Sequence, residues 1–164
     1  MNQTKKLTLA ALIVALSVIG NSLVVIPIGI IKAAPIQHLM NVLTAILLGP
    51  AYAVGTAFVT SLIRNAIGTG SIFAFPGSLI GALCAGLIYA RTKRIGLTAL
   101  GEFIGTGIIG GLVSTAIATL FMGKEGALVL FLPSFLASAG VGAAIAYLLA
   151  LGMVRKGIIK GKDV

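Results

Sequence analysis

The sequence predicts an all-α, polytopic membrane protein, a six-helix transmembrane bundle forming one transmembrane domain over residues 1–164. Three observations carry that expectation. Of 164 residues, 59% are hydrophobic and 9% charged, against roughly 25% charged in an ordinary soluble domain. The mean hydropathy is +1.16. The 22 glycines are spread through apolar runs that no long polar stretch interrupts, so neither a water-exposed surface nor a second, soluble domain can be assembled.

A spanning helix needs about 20 mostly apolar residues, because a rise of 1.5 Å each must cross about 30 Å of hydrocarbon. The first helix runs from about Leu7 to Ile26, where Pro27 stops it. Met1 to Lys6 ahead of this run imitates a signal peptide, but the apolar stretch continues to Ile31 without a small-x-small cleavage site, so a retained helix is expected. Between Leu39 and Ile63, Gly49-Pro50 divides two helices, Pro35 to Leu48 and Pro50 to Ala66, because proline lacks a donor and suits a first helical turn. The fourth helix is expected from about Pro76 to Tyr89, the fifth from Leu97 to Met122 and the sixth from Leu128 to Val154.

Charge arbitrates the number of spans. The net charge of +9 sits in short clusters between apolar runs, which fits membrane topology and not nucleic-acid binding. With six spans and both termini cytoplasmic, Lys5, Lys6, Arg91, Lys93, Arg94, Arg155, Lys156, Lys160 and Lys162 lie inside and Lys32, Arg64 and Lys124 outside, nine cations against three. Five spans give eight against four, a weaker positive-inside bias. The second helix is then too short to cross upright, an irregularity that marks its surroundings as a place for a site.

Helices in lipid associate through close approach at small residues and a few polar contacts. Gly77, Gly81 and Ala85 recur on one face of the fourth helix, Gly101 with Gly105 and Gly107 with Gly111 give two small faces on the fifth, and Ala139, Gly140 and Ala143 give one on the sixth. Internal packing is the plain reading. Ala11 and Ala15 on the first helix serve either packing or contact with a separate membrane subunit. The lone Cys84 forms no internal disulfide and is read as a packing residue.

Polar residues within a bilayer are expensive unless paired, so each needs an account. Gln37, His38 and Asn41 share a turn at the outer start of the second helix, Arg64 and Asn65 close the third, and the following loop carries Ser71, Phe73, Phe75 and Ser78. Glycines, hydroxyls and two phenylalanines together suit a small amphipathic ligand. Arg64 is either an interface cation or a ligand partner, and His38 either structural or a ligand group. Glu102 lies about one and a half turns into the fifth helix, roughly 8 Å deep, within reach of Arg91 or Arg94, a backbone amide or a ligand. Ser134 and Ser138 line a cavity or bond back to their own helix.

The chain has three acids, Glu102, Glu125 and Asp163, so the carboxylate sets of a metal site or of glycosyl or phosphoryl chemistry cannot be built. No G-x-x-x-x-G-K-[ST] stretch occurs, so the chain is not expected to hydrolyse ATP. No enzyme, metal or cofactor is expected.

The stretches Lys32-Ala33-Ala34-Pro35-Ile36-Gln37-His38-Leu39-Met40-Asn41, Leu47-Leu48-Gly49-Pro50, Leu62-Ile63-Arg64-Asn65-Ala66-Ile67-Gly68-Thr69-Gly70 and Ala74-Phe75-Pro76-Gly77-Ser78 resemble the ThiW family. The resemblance implies a substrate-binding S component of an energy-coupling factor (ECF) transporter in the cell membrane, with six helices and both termini cytoplasmic. It implies an outer ligand pocket capped by the loop between the first two helices, and hydroxyethylthiazole, a precursor of thiamine, as the small-molecule vitamin precursor. The implied partners are a transmembrane coupling subunit and two ATPase subunits, docked through an A-x-x-x-A strip that Ala11 and Ala15 match. Phe73 or Phe75 would stack on the thiazole, His38 or Asn65 donate to its nitrogen, and Asn41 or Ser78 bind its alcohol. The absence of Trp, with three Tyr, argues against an aromatic box for a cation such as intact thiamine. The alternative is a proton-coupled secondary transporter, a homodimer using Glu102 as its proton site.

Overall fold

The computed structural model describes residues 1–24, 26–28, 31–123, 126–159 and 161–162. The expected outer position of Lys124, the inner one of Lys160, and the acids Glu125 and Asp163 lie outside the described residues.

Helix α1 spans Gln3–Leu23, its first turn capped by the Asn2 side chain, which accepts from the Lys5 backbone N–H at 3.0 Å. It starts and stops earlier than the apolar run suggests. Beyond it, β1 (Ile26–Ile28) pairs antiparallel with β2 (Ile31–Ala33), Ile26 opposite Ala33 and Pro27 opposite Lys32. Apolar content alone does not separate helix from strand in so short a run, and a two-stranded ribbon has only edges, where proline is tolerated.

Helix α2 covers Pro35–Leu48 and α3 Pro50–Ala66. The division falls at Gly49, whose φ of +89° suits glycine, and Pro35 and Pro50 open their helices. Helix α4 (Ala74–Thr92) begins two residues before the expected proline. Then α5 (Ile95–Glu102), a π-helical stretch (Phe103–Gly110) and α6 (Gly111–Met122) form one continuous rod, and α7 (Ala127–Arg155) carries Pro133 in its second turn. Four of these bodies, α1, α4, the rod and α7, are long and apolar enough to cross a membrane. At 14 residues α2 reaches only about 21 Å, well short of a bilayer core.

Small residues set the distances between helices. A Cβ on Gly105 would lie 2.8 Å from the Gly81 Cα, and one on Gly110 would overlap Gly77, so the rod meets α4 backbone to backbone. Gly107 and Gly111 face Leu136 and Leu132 of α7 instead. The α4-facing glycines, 101, 105 and 110, are spaced four and then five apart. Wide i→i+5 turns let the second interval keep the same face. Gly142 of α7 abuts the first turn of α2, where its Cβ would sit 2.8 Å from the His38 Cβ.

One end of the bundle is basic. The start of α1 lies beside Ala51 and Tyr52 of α3, and the Lys162 N–H donates to the Lys93 carbonyl at 3.0 Å, joining the C-terminal residues to the α4–α5 turn. Lys5, Lys6, Arg91, Lys93, Arg94, Arg155 and Lys156 therefore gather with both chain ends. The flanks expose large apolar side chains such as Leu120, Phe121, Val129 and Leu148, a surface suited to lipid.

Close approach at Gly81 gives a stability test. Gly81→Val would drive its side chain into Thr106 and Glu102, and a loss of about 1–3 kcal/mol is expected. Gly55→Ala, where nothing lies within 4 Å, should be neutral or slightly stabilising. Thermal unfolding of both variants in detergent checks the pair.

Candidate functional site

At the end away from the basic cluster, the short α2 leaves a space above its first turn. A cavity of about 520 Å³ occupies that space, bordered by the end of α1, the starts of α2 and α4, the end of α3, the α3–α4 loop and the first half of α7.

The helix starts that open there are satisfied by side chains from neighbours. The Ala34 N–H donates to Ser138 Oγ of α7 at 3.0 Å, and the Gln37 N–H to Asn21 Oδ1 of α1 at 3.1 Å. Asn21 is held by the Ser17 carbonyl at 2.6 Å. The Gln37 amide then bridges two helices, donating to Ser61 Oγ at 2.8 Å and accepting from Arg64 Nη1 at 2.5 Å. Ser61 reaches Ser78 Oγ of α4 at 3.0 Å.

Arg64 also fixes the loop behind it. Its Nη2 donates to the Thr69 carbonyl at 3.1 Å, while its own carbonyl accepts from the Thr69 and Gly70 N–H groups at 2.9 and 2.8 Å. The turn needs glycine twice: Gly68 has φ +75°, and a Cβ on Gly70 would lie 2.9 Å from the Arg64 backbone. Asn65 clasps the same loop through the Ser61 and Ser71 carbonyls. Phe73 stacks on Phe131 with centroids 4.9 Å apart, and Phe131 meets Phe135 edge-on at 6.4 Å, giving one aromatic wall. Ser114 anchors it by donating to the Phe73 carbonyl at 2.6 Å.

Behind His38 lies the most buried polar cluster. Glu102, with no exposed surface, uses Oε1 toward His38 Nδ1 at 3.0 Å, Asn41 Nδ2 at 3.1 Å and Thr106 Oγ1 at 2.9 Å. It meets neither Arg91 nor Arg94, because the sunken start of α2 brings His38 to it first. With Nδ1 engaged, Nε2 is the ring nitrogen without a hydrogen-bond partner among the described residues. Glu102 Oε2 has no partner among the described residues and lies against Gly81.

Of the residues singled out from sequence, Gln37, His38, Arg64, Ser71, Phe73, Ser78, Ser134 and Ser138 border the cavity. Asn41 and Glu102 stand one layer behind His38, Asn65 braces the loop, and Phe75 packs edge-on against Phe58 at 5.9 Å, away from the lining. Sequence reasoning missed Asn21, Ser22, Phe131 and Phe135. Asn21 is an amide inside an apolar run, and Phe131, Ser134, Phe135 and Ser138 form a stripe at i, i+3, i+4 and i+7; both were readable signals.

Replacing Glu102 should chiefly orphan His38, since Asn41 keeps the Ser78 carbonyl and Thr106 the Gly77 carbonyl. Glu102→Leu is expected to lower stability by about 1–3 kcal/mol, whereas Glu102→Gln, which keeps an acceptor oxygen, should lose less. Thermal unfolding in detergent measures both, and equal stability of all three forms would contradict the pairing.

The chain matches the family described as thiamine-precursor transporter protein (ThiW) over residues 7–156. No curated protein gives a significant match to it. A family match over nearly the full length agrees with the apolar helices in making this a membrane transport protein and not an enzyme. By that match, the chain belongs to the ThiW family of thiamine-precursor transporters.

Proposed function

We propose that this protein is the substrate-capture (S) subunit of an ECF-type importer, that it crosses the membrane six times with both termini cytoplasmic, and that it binds the thiazole precursor of thiamine, hydroxyethylthiazole. The observation that carries the reading is the cavity of about 520 Å³ at the end of the bundle opposite the basic cluster. Basic residues favour the cytoplasmic side, so a cavity at the other end faces the nutrient.

The lining suits a thiazole. Phe73, Phe131 and Phe135 supply a wall for the ring, His38 Nε2 bonds to no partner among the described residues, and the Ser134 and Ser138 hydroxyls are within the lining for an alcohol. Glu102 holds His38 from behind and is itself held by Asn41, and Asn65 and Ser71 hold the loop. The β1–β2 ribbon, whose second strand packs on α7, is the cap between the first two helices.

Transport energy then comes from partner subunits, because the sequence has no phosphate-binding G-x-x-x-x-G-K-[ST] stretch. Ala11 and Ala15 are both exposed on α1, and Ala11 borders an apolar groove between α1 and α3 at the basic end. This strip is the docking surface for a transmembrane coupling subunit carrying two ATPases.

Two measurements test the reading. Gently extracted protein analysed by native mass spectrometry should retain a thiazole, or gain thermal stability when one is added. Ala11→Leu with Ala15→Leu should abolish co-purification with a coupling subunit yet spare thiazole binding, because the groove and the cavity lie at opposite ends. Uptake into vesicles without ATP, abolished by Glu102→Gln, would instead favour a proton-coupled transporter.

A further inference from the structure

We infer that this cavity prefers an acid-bearing form of the thiazole, a phosphate or a carboxylate, to the neutral alcohol, and that Arg64 is the counter-charge. This rests on the thiazole-capture reading and names the ionic class of its ligand.

The Arg64 side chain borders the cavity, yet the residue is only 7% exposed. Its two bonded nitrogens donate to neutral oxygens, the Gln37 amide and the Thr69 carbonyl, and its Nε–H finds no acceptor among the described residues. Buried charges in proteins are normally paired. Among the described residues Glu102 Oε1 already lies 3.0 Å from His38 Nδ1, so the acid nearest the site is engaged. The guanidinium is held in place by neutral groups and left without a negative partner among the described residues.

The rest of the lining fits an oxyanion. Its described residues include no Asp or Glu, and the titratable group there besides Arg64 is His38. Ser134 is buried in the lining, and its hydroxyl bonds to no protein group among the described residues. The 19-residue α4 starts at the cavity, with Phe73 and Ala74 in the lining, so the positive end of its dipole faces the same space. A guanidinium offers a planar fork that matches phosphate or carboxylate, which a neutral thiazole alcohol would leave unused. A volume of about 520 Å³ falls in the roughly 300–1,000 Å³ range of pockets for drug-sized molecules, leaving room for a charged substituent beside the ring.

The test uses the full chain in phosphatidylcholine nanodiscs, titrated calorimetrically with hydroxyethylthiazole, its phosphate monoester and a carboxylated thiazole. At least one acid-bearing thiazole should bind about ten-fold or more tightly than the alcohol, a difference of about 1.4 kcal/mol. Arg64→Gln should bring that ratio close to one, and Arg64→Lys, which keeps charge without the fork, should retain part of it. If the Arg64 variants do not fold, the wild-type ratio decides alone. Equal binding of alcohol and acids, or a preference that survives Arg64→Gln, would overturn the inference while leaving thiazole capture standing. Binding of no thiazole at all would overturn both. Repeating the titration with phosphatidylglycerol in the disc separates a soluble acid from a lipid headgroup: unchanged affinity supports the soluble ligand, and displacement by the lipid refutes it.

Discussion

A helix too short to cross the bundle is the constraint from which the site follows. Fourteen residues of α2 leave its first turn sunk below the end of its neighbours, where backbone N–H groups lack both helical partners and bulk water. Pro35 removes one donor, and α7 and α1 satisfy others through Ser138 and Asn21. Each such bond is worth only about 0.5–1.5 kcal/mol net, but an unmet buried donor costs about 1–3 kcal/mol. The polar residues around the cavity thus complete α2 before they serve any ligand.

The same arrangement separates groups that line the cavity from groups that hold them. Gln37 has one face on Ser61 and the other on Arg64, so its amide is fixed by two residues of α3. His38 has Nδ1 committed to Glu102, which fixes the ring plane and defines the nitrogen that remains. Arg64 is fixed by the loop that it in turn closes, since Thr69 accepts from its side chain while Thr69 and Gly70 donate to its carbonyl. A cavity built this way is largely preorganised, which reduces the ordering that a ligand must impose on binding.

Much of this was legible in the chain. Apolar runs measured against bilayer thickness locate the helices, and Gly49-Pro50 marks the break between α2 and α3. Rarity did the rest: in so apolar a sequence Gln37, His38, Arg64 and Ser78 stand out because burial demands partners for them, and those partners prove to be one another or their neighbours. What escaped was set by tertiary geometry. The β1–β2 ribbon looks like a continuation of α1 because both are apolar. Phe75 and Phe73 are indistinguishable by composition, and only the direction of the α4 start sends one to the lining and the other to Phe58. The partner of Glu102 could not be read from its depth along a straight helix, since the depth of His38 depends on where α2 begins.

The wide turns between Phe103 and Gly110 have a consequence for how this architecture tolerates changes in length. An extra residue in an ordinary α-helix swings everything beyond it by about 100° around the axis, which would carry α6 off both α4 and α7. Absorbed as i→i+5 geometry, one surplus residue leaves Gly101 and Gly105 before it and Gly110 after it on a single seam. Loss of one residue from that stretch would tighten the rod into regular α-helix with its neighbours undisturbed, whereas the same loss in the middle of α7 would uncouple Ser134 and Ser138 from Gly142. Within the rod, a single-residue deletion therefore has a permissive address, and it lies within a turn of the buried carboxylate.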